Sequence, residues 1–533
     1  MSALNPNILG GAEPLAPVRP ERVPEWPEAR PVTVIINGRA VQVPRGVTIL
    51  QAAEAAGIKI PTLCHHPSVP DEGACRVCVV EVEGAKNLVA SCVYPVQEGM
   101  KIKTNSPLVR DARKMIVELL LGRHPQNCPT CPRGGQCELI SLAQDLGVNE
   151  VNSALKPREL PKDQSSPSVV RDPSKCVLCG RCVRVCDEVQ GVAAIGPSYR
   201  GIRTLVAPAF GRGLGEISCV SCGQCINVCP VGAIYERDAI EDVERALADP
   251  DKYVVVQVAP AVRASLGEEF GMPPGSLITG KMVTALRMLG FDRVFDTQFT
   301  ADLTIMEEVT ELLERLAEGG PLPLLTSCSP GWVRYCEHFF PEFLPNVSTC
   351  KSPEAMMGAL IKTYFSEIQK VPPDKIYSVS VMPCTAKKME AQRPELNASG
   401  YRDVDAVLTT RELARMIKGA GIDFLSLTES RFDAPLGAST GAGAIFGATG
   451  GVMEAALRTA YELVTGTELG TLEFNAVRGF EGVREAAITL EGEVVRVAVC
   501  HGLRNASRLL ESVKTGSRMY HFVEIMACPN GCV

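Results

Sequence analysis

The sequence lacks three features: a long apolar run, an excess of basic residues and an N-terminal secretory signal. No apolar run reaches the roughly 18 residues that a transmembrane helix requires, so no membrane span is expected. Lys and Arg together (54) do not outnumber Asp and Glu (61), and a formal net charge of −7 leaves no basic footprint for nucleic acid. The sequence does not open with a basic segment followed by an apolar core, so no secretory signal is predicted. We therefore expect a cytoplasmic protein with no membrane span and no nucleic-acid partner.

Cysteine, in contrast, is abundant, with 22 residues in a chain of 533. Secreted proteins that are rich in disulfides are usually short. Clustered C-x2-C pairs in a large acidic chain instead indicate metal binding in a reducing compartment. The length exceeds what one hydrophobic core can organise, and roughly three to five domains are expected.

The N-terminal region combines a proline-rich tail with a first group of cysteines. Proline density over residues 1–31 predicts a disordered tail. A strand, an Asn37-Gly38 turn, a second strand and a helix that Thr48 caps and Gly57 ends predict a β-grasp domain over 32–110. The cysteines of this domain are expected to bind a plant-type [2Fe–2S] cluster, with a zinc site or free thiols as the alternatives. They are Cys64, Cys75, Cys78 and Cys92.

A smaller domain is predicted over residues 111–150. Its candidate ligands are His124, Cys128, Cys131 and Cys137. Zinc also accepts one imidazole and three thiolates, so the spacing alone is ambiguous. The position between two other cluster sites favours a [4Fe–4S] cluster. Residues 151–170, which are polar and contain prolines, are predicted to form a linker.

Residues 171–240 contain two cysteine runs with the spacing C-x2-C-x2-C-x3-C. This is the bacterial ferredoxin pattern, in which the fourth cysteine of each run binds the other cluster. We therefore predict a ferredoxin-like domain with two [4Fe–4S] clusters. The expected ligand sets are Cys176, Cys179, Cys182 and Cys229 for one cluster, and Cys219, Cys222, Cys225 and Cys186 for the other.

From about residue 241 the sequence alternates between buried strands and amphipathic helices. This alternation predicts a doubly wound α/β domain over 241–533, with a parallel sheet covered by helices on both faces. Cys328, Cys384 and Cys528 each follow a predicted strand. Because the carboxyl ends of parallel strands lie along one edge of a sheet, we expect these distant cysteines in one crevice.

Three stretches of this domain resemble the signatures of the [FeFe] hydrogenase catalytic domain. They are TSCSPGW (326–332), MPCTAKKME (382–390) and EIMACPNGC (524–532), and GAIFGATGGVMEAALR (443–458) is similar to the same family. The resemblance implies a multidomain α/β protein whose H-cluster domain has two lobes. Residues 32 to about 240 resemble the accessory-cluster domains of the larger family members, and also the cluster arm of respiratory NADH dehydrogenases.

The resemblance implies an H-cluster, in which a [4Fe–4S] cube is joined to a diiron unit with CO, cyanide and azadithiolate ligands. Cys384, Cys528 and Cys532 would hold the cube, and Cys532 would bridge to the diiron unit. Lys387 would donate hydrogen bonds to a cyanide. The walls of the pocket would include the Ala259-Pro260 turn, Met382, Met526 and Phe446.

A proton relay is also implied, because H2 is split heterolytically in a pocket that excludes water. Cys328 matches the family's shuttle cysteine, and Glu308, Glu311, Arg315 and Ser348 match its further members. The residues alone favour an exposed helix face for the two glutamates, since they recur at helical spacing. The resemblance implies instead that both glutamates belong to the proton relay.

The chain departs from the family pattern at three places. Ser329 stands where the fourth thiolate of the cube is usual, so that either Ser329 binds near the iron or Cys328 shifts to become a ligand. Ala261 and Glu354 replace a serine and a glutamine. The sequence ends at Val533, and we expect the H-cluster domain to be truncated at its C-terminus.

The expected activity is reversible H2 oxidation, coupled to ferredoxin or to a flavin subunit that binds NAD(P), or to both in an electron-bifurcating complex. No G-x-G-x-x-G loop follows a strand, so no NAD site is predicted within the chain. Maturation proteins that build the diiron unit are implied as further partners. The alternative is a protein without turnover, either an H2 sensor or a hydrogenase-like iron–sulfur scaffold.

Overall fold

The computed structural model describes residues 31–151, 156–434, 439–477 and 482–532. The predicted proline-rich tail, apart from Pro31, lies outside the described residues, as does the last residue of the chain. Among the helices that are described, none combines the length and the apolar character needed to cross a membrane.

The first unit is a mixed sheet with the strand order β2-β1-β5-β3-β4 and one helix. Its elements are β1 (Val32–Ile36), β2 (Arg39–Val43), α1 (Ile49–Ala55), β3 (Val79–Val82), β4 (Val89–Ala90) and β5 (Lys101–Lys103). The predicted hairpin is confirmed, because β1 and β2 pair around Asn37 and Gly38, whose φ angles are both positive (49° and 83°). Thr48 caps α1 as predicted, in a capping box with Gln51.

Two helices and a small ferredoxin-like unit follow. Their elements are α2 (Pro107–Gly122), α3 (Glu138–Asp145), β6 (Val169–Arg171), α4 (Arg181–Arg184), β7 (Gly196–Ser198), β8 (Leu205–Ala207), α5 (Gln224–Val228) and β9 (Ile234–Glu236). β6 pairs with β9, and Ser166 and Ser168 just before β6 are buried. The packed part of this unit therefore extends into the residues predicted as a linker.

The two cysteine runs of this unit share one backbone conformation. Leu178 and Ser221, each just before the second cysteine of its run, have φ angles of 55° and 58°. Gly180 and Gly223, just after those cysteines, have φ angles of 73° and 72°. The internal repeat seen in the sequence is thus a structural repeat.

The C-terminal part begins with a parallel sheet of four strands in the order β11-β10-β13-β14. Its elements are α6 (Ile240–Leu247), β10 (Tyr253–Val258), α7 (Pro260–Ser265), α8 (Thr279–Met288), β11 (Arg293–Asp296), α9 (Gln298–Glu318), β12 (Leu324–Leu325), α10 (Pro330–Phe339), α11 (Pro353–Leu360), α12 (Ser366–Gln369), β13 (Ile376–Met382), α13 (Ala386–Glu390), β14 (Ala406–Thr409) and α14 (Thr410–Gly419). A π-helical turn over Ile361–Phe365 joins α11 to α12. The short β12 belongs to a second sheet.

That second sheet is mixed and has the strand order β12-β18-β17-β16-β15. Its remaining elements are α15 (Gly451–Thr465), β15 (Asn475–Ala476), β16 (Val483–Leu490), β17 (Glu493–His501), α16 (Leu503–Lys514) and β18 (Phe522–Met526). The single parallel sheet expected from the sequence is therefore wrong, because the antiparallel β16–β17 hairpin forms a sheet of its own with β18 and β12. Two sheets, rather than one, bring the candidate cysteines together.

Candidate functional site

A cavity of about 120 Å³ lies where β12, β13 and β18 end. Its walls are mainly apolar and include Ala259, Pro260, Met382, Phe446 and Met526. The three strands end here because the parallel sheet and the mixed sheet direct their carboxyl ends toward the same space. All the wall residues named from the sequence thus line this one cavity.

Three of the candidate ligands reach the cavity from two sheets. Cys384 follows β13 by two residues, Cys528 follows β18 by two residues, and Cys532 lies near the end of the described chain. Burial raises the pKa of the Cys528 thiol, and the neighbouring Cys384 and Cys532 raise it further. Cys532 is the most accessible of the three. Three thiols around one apolar space form a donor set that fits an iron–sulfur cube.

Cys328 and Ser329 both line the same cavity as the three candidate cysteine ligands. The Ser329 hydroxyl oxygen accepts a hydrogen bond from the backbone N–H of Ala527 (3.3 Å), which holds it toward the β18 end of the cavity. Burial raises the pKa of the Cys328 thiol, and the nearby carboxyl of Glu308 raises it further. Cys328 is therefore a protonated thiol that lines the cavity and lies close enough to Glu308 for that carboxyl to affect its pKa.

Lys387 enters the cavity from α13 and is held by a buried polar network. Its Nζ donates to the Ser352 hydroxyl (2.8 Å) and to the Glu390 carboxylate (2.6 Å), and it lies 3.6 Å from a Glu354 oxygen. Burial lowers the pKa of Lys387, but Glu390 and Glu354 outweigh that effect and raise it above the usual range. The lysine is a fixed buried cation and not the solvated surface lysine that its residue type alone would favour.

Glu354 is a fully buried carboxyl that also lines the cavity. Ser380 donates a hydrogen bond to it, and Gln257 donates one to its backbone carbonyl (2.9 Å). Burial raises the pKa of Glu354 to about 8, although Lys387 opposes the rise. At neutral pH the protonated form is therefore favoured, and Lys387 forms its ion pair with Glu390.

Three members of the predicted proton relay lie on α9, and another, Ser348, lies in the loop before α11. Glu308 is buried, and neither of its carboxyl oxygens has a hydrogen-bond partner within the described part of the chain. Burial raises the pKa of Glu308 to about 7, while the nearby Ser327 backbone and Ser348 hydroxyl lower it. A carboxyl with that pKa can accept and release a proton near neutral pH.

Glu311 lies one helical turn beyond Glu308 and is well connected. Its carboxylate accepts hydrogen bonds from the Ser348 hydroxyl (2.9 Å) and the Thr349 backbone N–H (3.0 Å) and forms an ion pair with Arg315. Arg315 also donates to the backbone carbonyl of Asn346 (3.1 Å). The structure thus brings Glu308, Glu311, Ser348 and Arg315 together, although none of them lines the cavity itself.

Sequence reasoning missed a further buried carboxyl near the cavity, that of Glu524. Glu524 lies in β18, and its two oxygens accept hydrogen bonds from the backbone N–H groups of Gly450 (2.7 Å) and Met453 (2.7 Å) at the start of α15. Burial raises the pKa of Glu524 to about 7, although these two hydrogen bonds lower it. Its place in the EIMAC stretch, two residues before Met526, was the signal that could have identified it.

The four cysteines of the first unit lie close together. The Sγ atoms of Cys78 and Cys92 are 3.5 Å apart, and the backbone N–H of Cys75 donates to Cys64 Sγ (3.4 Å). The backbone N–H of Val77 donates to Cys75 Sγ (3.5 Å). Thiolates near backbone donors are suited to a buried cluster, since these hydrogen bonds stabilise charge on sulfur. The donor set fits the predicted [2Fe–2S] cluster.

The next site is a cavity of about 160 Å³ that His124, Cys128, Cys131 and Cys137 line together. The Nδ1 atom of His124 is buried and has no hydrogen-bond partner within the described residues, as expected of a nitrogen that binds a metal. Within the described ranges, no group of three or more His, Cys, Asp or Glu side chains is arranged to hold a single metal ion. The [4Fe–4S] cluster at these four residues stays a prediction.

The ferredoxin-like unit brings the fourth cysteine of one run to the other run. One cavity is lined by Cys176, Cys179, Cys182 and Cys229. Burial raises the pKa of the Cys225 thiol, and the neighbours that raise it further include Cys222, Cys219 and Cys186. Backbone N–H groups donate to Cys176 Sγ (3.4 Å) and Cys186 Sγ (3.3 Å). Both groupings are those predicted from the spacing.

The second run also contacts the cavity that Cys384, Cys528 and Cys532 line. Cys222 lines it, and the Gln224 side chain donates a hydrogen bond to Cys528 Sγ (3.1 Å). The Thr385 hydroxyl donates to the Ser221 carbonyl (3.0 Å), and Arg334 Nε donates to the Cys219 carbonyl (3.0 Å). Cysteine spacing alone could not identify Gln224, because an amide between two ligands resembles any other loop residue.

Family models match most of the chain. Residues 252–533 match the model described as the iron-only hydrogenase large subunit, C-terminal domain. Residues 29–107 match a 2Fe-2S iron-sulfur cluster binding domain. Residues 113–152 match the NADH-ubiquinone oxidoreductase-G iron-sulfur binding region, and residues 166–235 match the ferredoxin-like domain of NADH-quinone oxidoreductase subunit 3.

Individual relatives agree with these matches. The chain is 49% identical to the NADP-reducing hydrogenase subunit HndD of Solidesulfovibrio fructosivorans, over 94% of this chain and 88% of that protein. Identity to iron hydrogenase 1 of Clostridium pasteurianum is 44% with the same coverages. The cytosolic iron-sulfur assembly component 3 of Mus musculus is 35% identical over 56% of this chain and 64% of its own length.

A solved structure matches the C-terminal part of the fold. It is a variant of the apo [FeFe]-hydrogenase HydA1 from Chlamydomonas reinhardtii, with 43% identity and a TM-score of 0.52. The match covers 56% of this chain and 83% of that chain.

Proposed function

This chain belongs to the iron-only hydrogenase large-subunit family, and on that premise we propose that its catalytic cavity oxidises H2 reversibly at an H-cluster. The enzyme class follows from the family, and the chain is an [FeFe] hydrogenase with iron–sulfur domains. The observation that carries the site assignment is the convergence of Cys384, Cys528 and Cys532 on one apolar cavity beside Lys387.

Each ligand position has a residue of suitable chemistry. Cys384, Cys528 and Cys532 would hold the cube, with Cys532 also facing the diiron unit, and Ser329 would stand at the fourth position. When bound, the cluster supplies the centre at which H2 is split heterolytically. Lys387, fixed by Glu390 and Ser352, offers a permanent positive charge to an anionic ligand of that centre. Met382, Met526 and Phe446 exclude water.

The proton leaves the cavity through side chains. Cys328 faces the cavity with a protonated thiol and passes its proton to the buried Glu308. Glu308, with a pKa raised to about 7 by burial, transfers the proton toward Glu311, which the Ser348 hydroxyl and Arg315 hold in place. Glu311 is nearer the surface, so the relay ends at solvent.

Electrons leave through the N-terminal units. We assign one [2Fe–2S] cluster to the Cys64 site and three [4Fe–4S] clusters to the His124 site and to the two cysteine runs. Cys222 lines the catalytic cavity, so the second run would hold the accessory cluster that lies next to it. The expected partners are a flavin subunit that binds NAD(P), in line with the name of the relative HndD, or ferredoxin, or both in an electron-bifurcating complex.

The relay can be tested with the full chain after maturation. Cys328→Ala and Glu308→Gln should each lower H2 oxidation by about 100-fold or more, since proton transfer by positioned groups contributes about 10²–10⁴-fold to catalysis. The matched controls are Glu307→Gln, which changes an exposed neighbour on the same helix, and Cys500→Ala, which removes a buried thiol outside the cavity. Full turnover of Cys328→Ala at unchanged iron content would contradict the proposed relay.

A further inference from the structure

We propose that Gln224 is a positioning residue that sets the reduction potential of the catalytic cube through its hydrogen bond to Cys528. This inference rests on the proposed function, because Cys528 is a cube ligand only if the cavity holds the cluster. Gln224 belongs to the ferredoxin-like unit, and nothing in the cysteine pattern assigns it a role. Its amide acts on the cube from a different domain of the protein.

The hydrogen bond has a clear geometry. The Gln224 Nε2 atom lies 3.1 Å from Cys528 Sγ, although 304 positions separate the two residues in sequence. An amide nitrogen is a donor only, so the direction of the hydrogen bond is fixed toward the sulfur. Gln224 itself is the first residue of α5 and stands between Cys222 and Cys225.

The donor is held in place by its own loop. Ser221 and Cys219 each accept a hydrogen bond from the catalytic domain, from Thr385 and Arg334. Gly223, directly before Gln224, packs so closely that a Cβ atom there would lie 2.4 Å from the Thr385 hydroxyl oxygen. The amide is therefore brought to Cys528 by a docked loop and not by a free side chain on a mobile surface.

A donor at this sulfur has a predictable electronic effect. Hydrogen bonds to cluster sulfurs stabilise the additional negative charge of the reduced state and are among the factors that set cluster potentials. Gln224 should therefore make the cube easier to reduce. The same loop would supply Cys222 and Cys225 to the neighbouring accessory cluster. The unit that exchanges electrons with the cube would therefore also set the reduction potential of the cube, through Gln224.

The test replaces the amide by an apolar group of similar shape, Gln224→Met, in the full matured chain. Infrared spectroelectrochemistry follows the CO and cyanide bands, which report the redox state of the H-cluster without overlap from accessory clusters. We expect the equilibrium constant for cube reduction to fall about tenfold, which is about 59 mV to lower potential for one electron. The midpoint potentials of the accessory clusters, followed by electron paramagnetic resonance, should stay unchanged.

The matched control is Asn227→Met, which places the same side chain at an exposed position of α5. Its H-cluster midpoint should equal that of the unsubstituted chain. An unchanged midpoint in Gln224→Met would overturn the proposal, as would a shift that Asn227→Met reproduces or one shared by all accessory clusters. Absence of CO and cyanide bands from the unsubstituted matured chain would overturn the proposed function, and this inference with it.

Discussion

At the scale of single residues, the cavity has few charged side chains, and each of them has a partner that compensates its charge or favours its neutral form. Lys387 is the buried cation, and two carboxyls lie within 3.6 Å of it. Glu390 at 2.6 Å is its ion-pair partner, whereas Glu354 is held by Ser380 and favours its protonated form. A buried carboxyl without a dedicated cation is stable only when it carries a proton.

This arrangement predicts a pH-dependent contribution of Glu354 to stability. Its pKa is raised from 4.5 to about 8 in the folded protein. The contribution is therefore fully present below about pH 4.5 and is lost as pH rises through about 8. Glu354→Gln should remove this loss, so that the free energy of unfolding falls less steeply with pH in the variant, by at most about 1.4 kcal/mol per pH unit.

Urea unfolding followed by circular dichroism between pH 4.5 and 8 measures the difference. Glu367→Gln, an exposed glutamate at α12 of the same continuous helix, is the matched control and should follow the unsubstituted chain. Parallel pH curves for Glu354→Gln and the unsubstituted chain would show that Glu354 is ionised in the folded state.

The sequence predicts residues well where a motif carries them and poorly where only packing does. Cys384, Cys528 and Lys387 stand in recognisable stretches, and all three line the cavity. Gln224 contacts a residue 304 positions away, and no local pattern marks that contact, whereas Glu524 could have been found only through its place beside a recognised stretch. For Glu308 the residue pattern alone indicated an exposed helix face, yet the side chain is buried.

At the scale of elements, the loop that joins the second cysteine run to the catalytic domain is a tightly packed junction. It depends on Gly223, whose φ of 72° favours glycine and whose close approach to Thr385 leaves no space for a Cβ atom. The cavity residues lie at or just after the carboxyl ends of their strands, and β12 itself is only two residues long. The ends of these elements, more than their interiors, determine the site.

The junction predicts a difference between two glycine substitutions. Gly223→Ala and Gly211→Ala both place alanine at a positive φ, but a Cβ atom added at Gly211 would meet no other atom within 4 Å. Gly211→Ala should cost about 1–2 kcal/mol because alanine is disfavoured at a positive φ, and Gly223→Ala should cost about 1–3 kcal/mol more because of the clash. Urea midpoints of the two variants test this, and equal midpoints would mean that the loop is not docked as described.

Element predictions were reliable where the apolar pattern was strong. The apolar pattern predicts strands at 253–260, 293–296 and 377–384 and a helix at 280–290, and β10, β11, β13 and α8 form close to these positions. The hairpin partner β16 was missed, because Arg484 and Glu485 interrupt its apolar pattern near its first residue. Without β16 the sequence could not show that β17 and β18 belong to a second sheet.

At the scale of the whole molecule, the protein is a series of cysteine-lined sites that ends at one apolar cavity. Cys222 faces the catalytic cavity, and the second run shares cysteines with the first. Arg133, beside the His124 site, donates to the Ile226 carbonyl in α5 (2.7 Å), and Arg184 donates to the Cys64 carbonyl (2.8 Å). Each site is thus connected to the next by direct contacts, as an electron path requires.

The most direct test of the account is infrared spectroscopy of the full chain after maturation. Metal-bound CO and cyanide absorb where protein does not, and the account predicts their bands in the unsubstituted chain. Cys532→Ala should lose these bands while the accessory clusters remain, because it removes the proposed link to the diiron unit. A matured chain with its full complement of iron–sulfur clusters but without CO and cyanide bands would contradict the central claim.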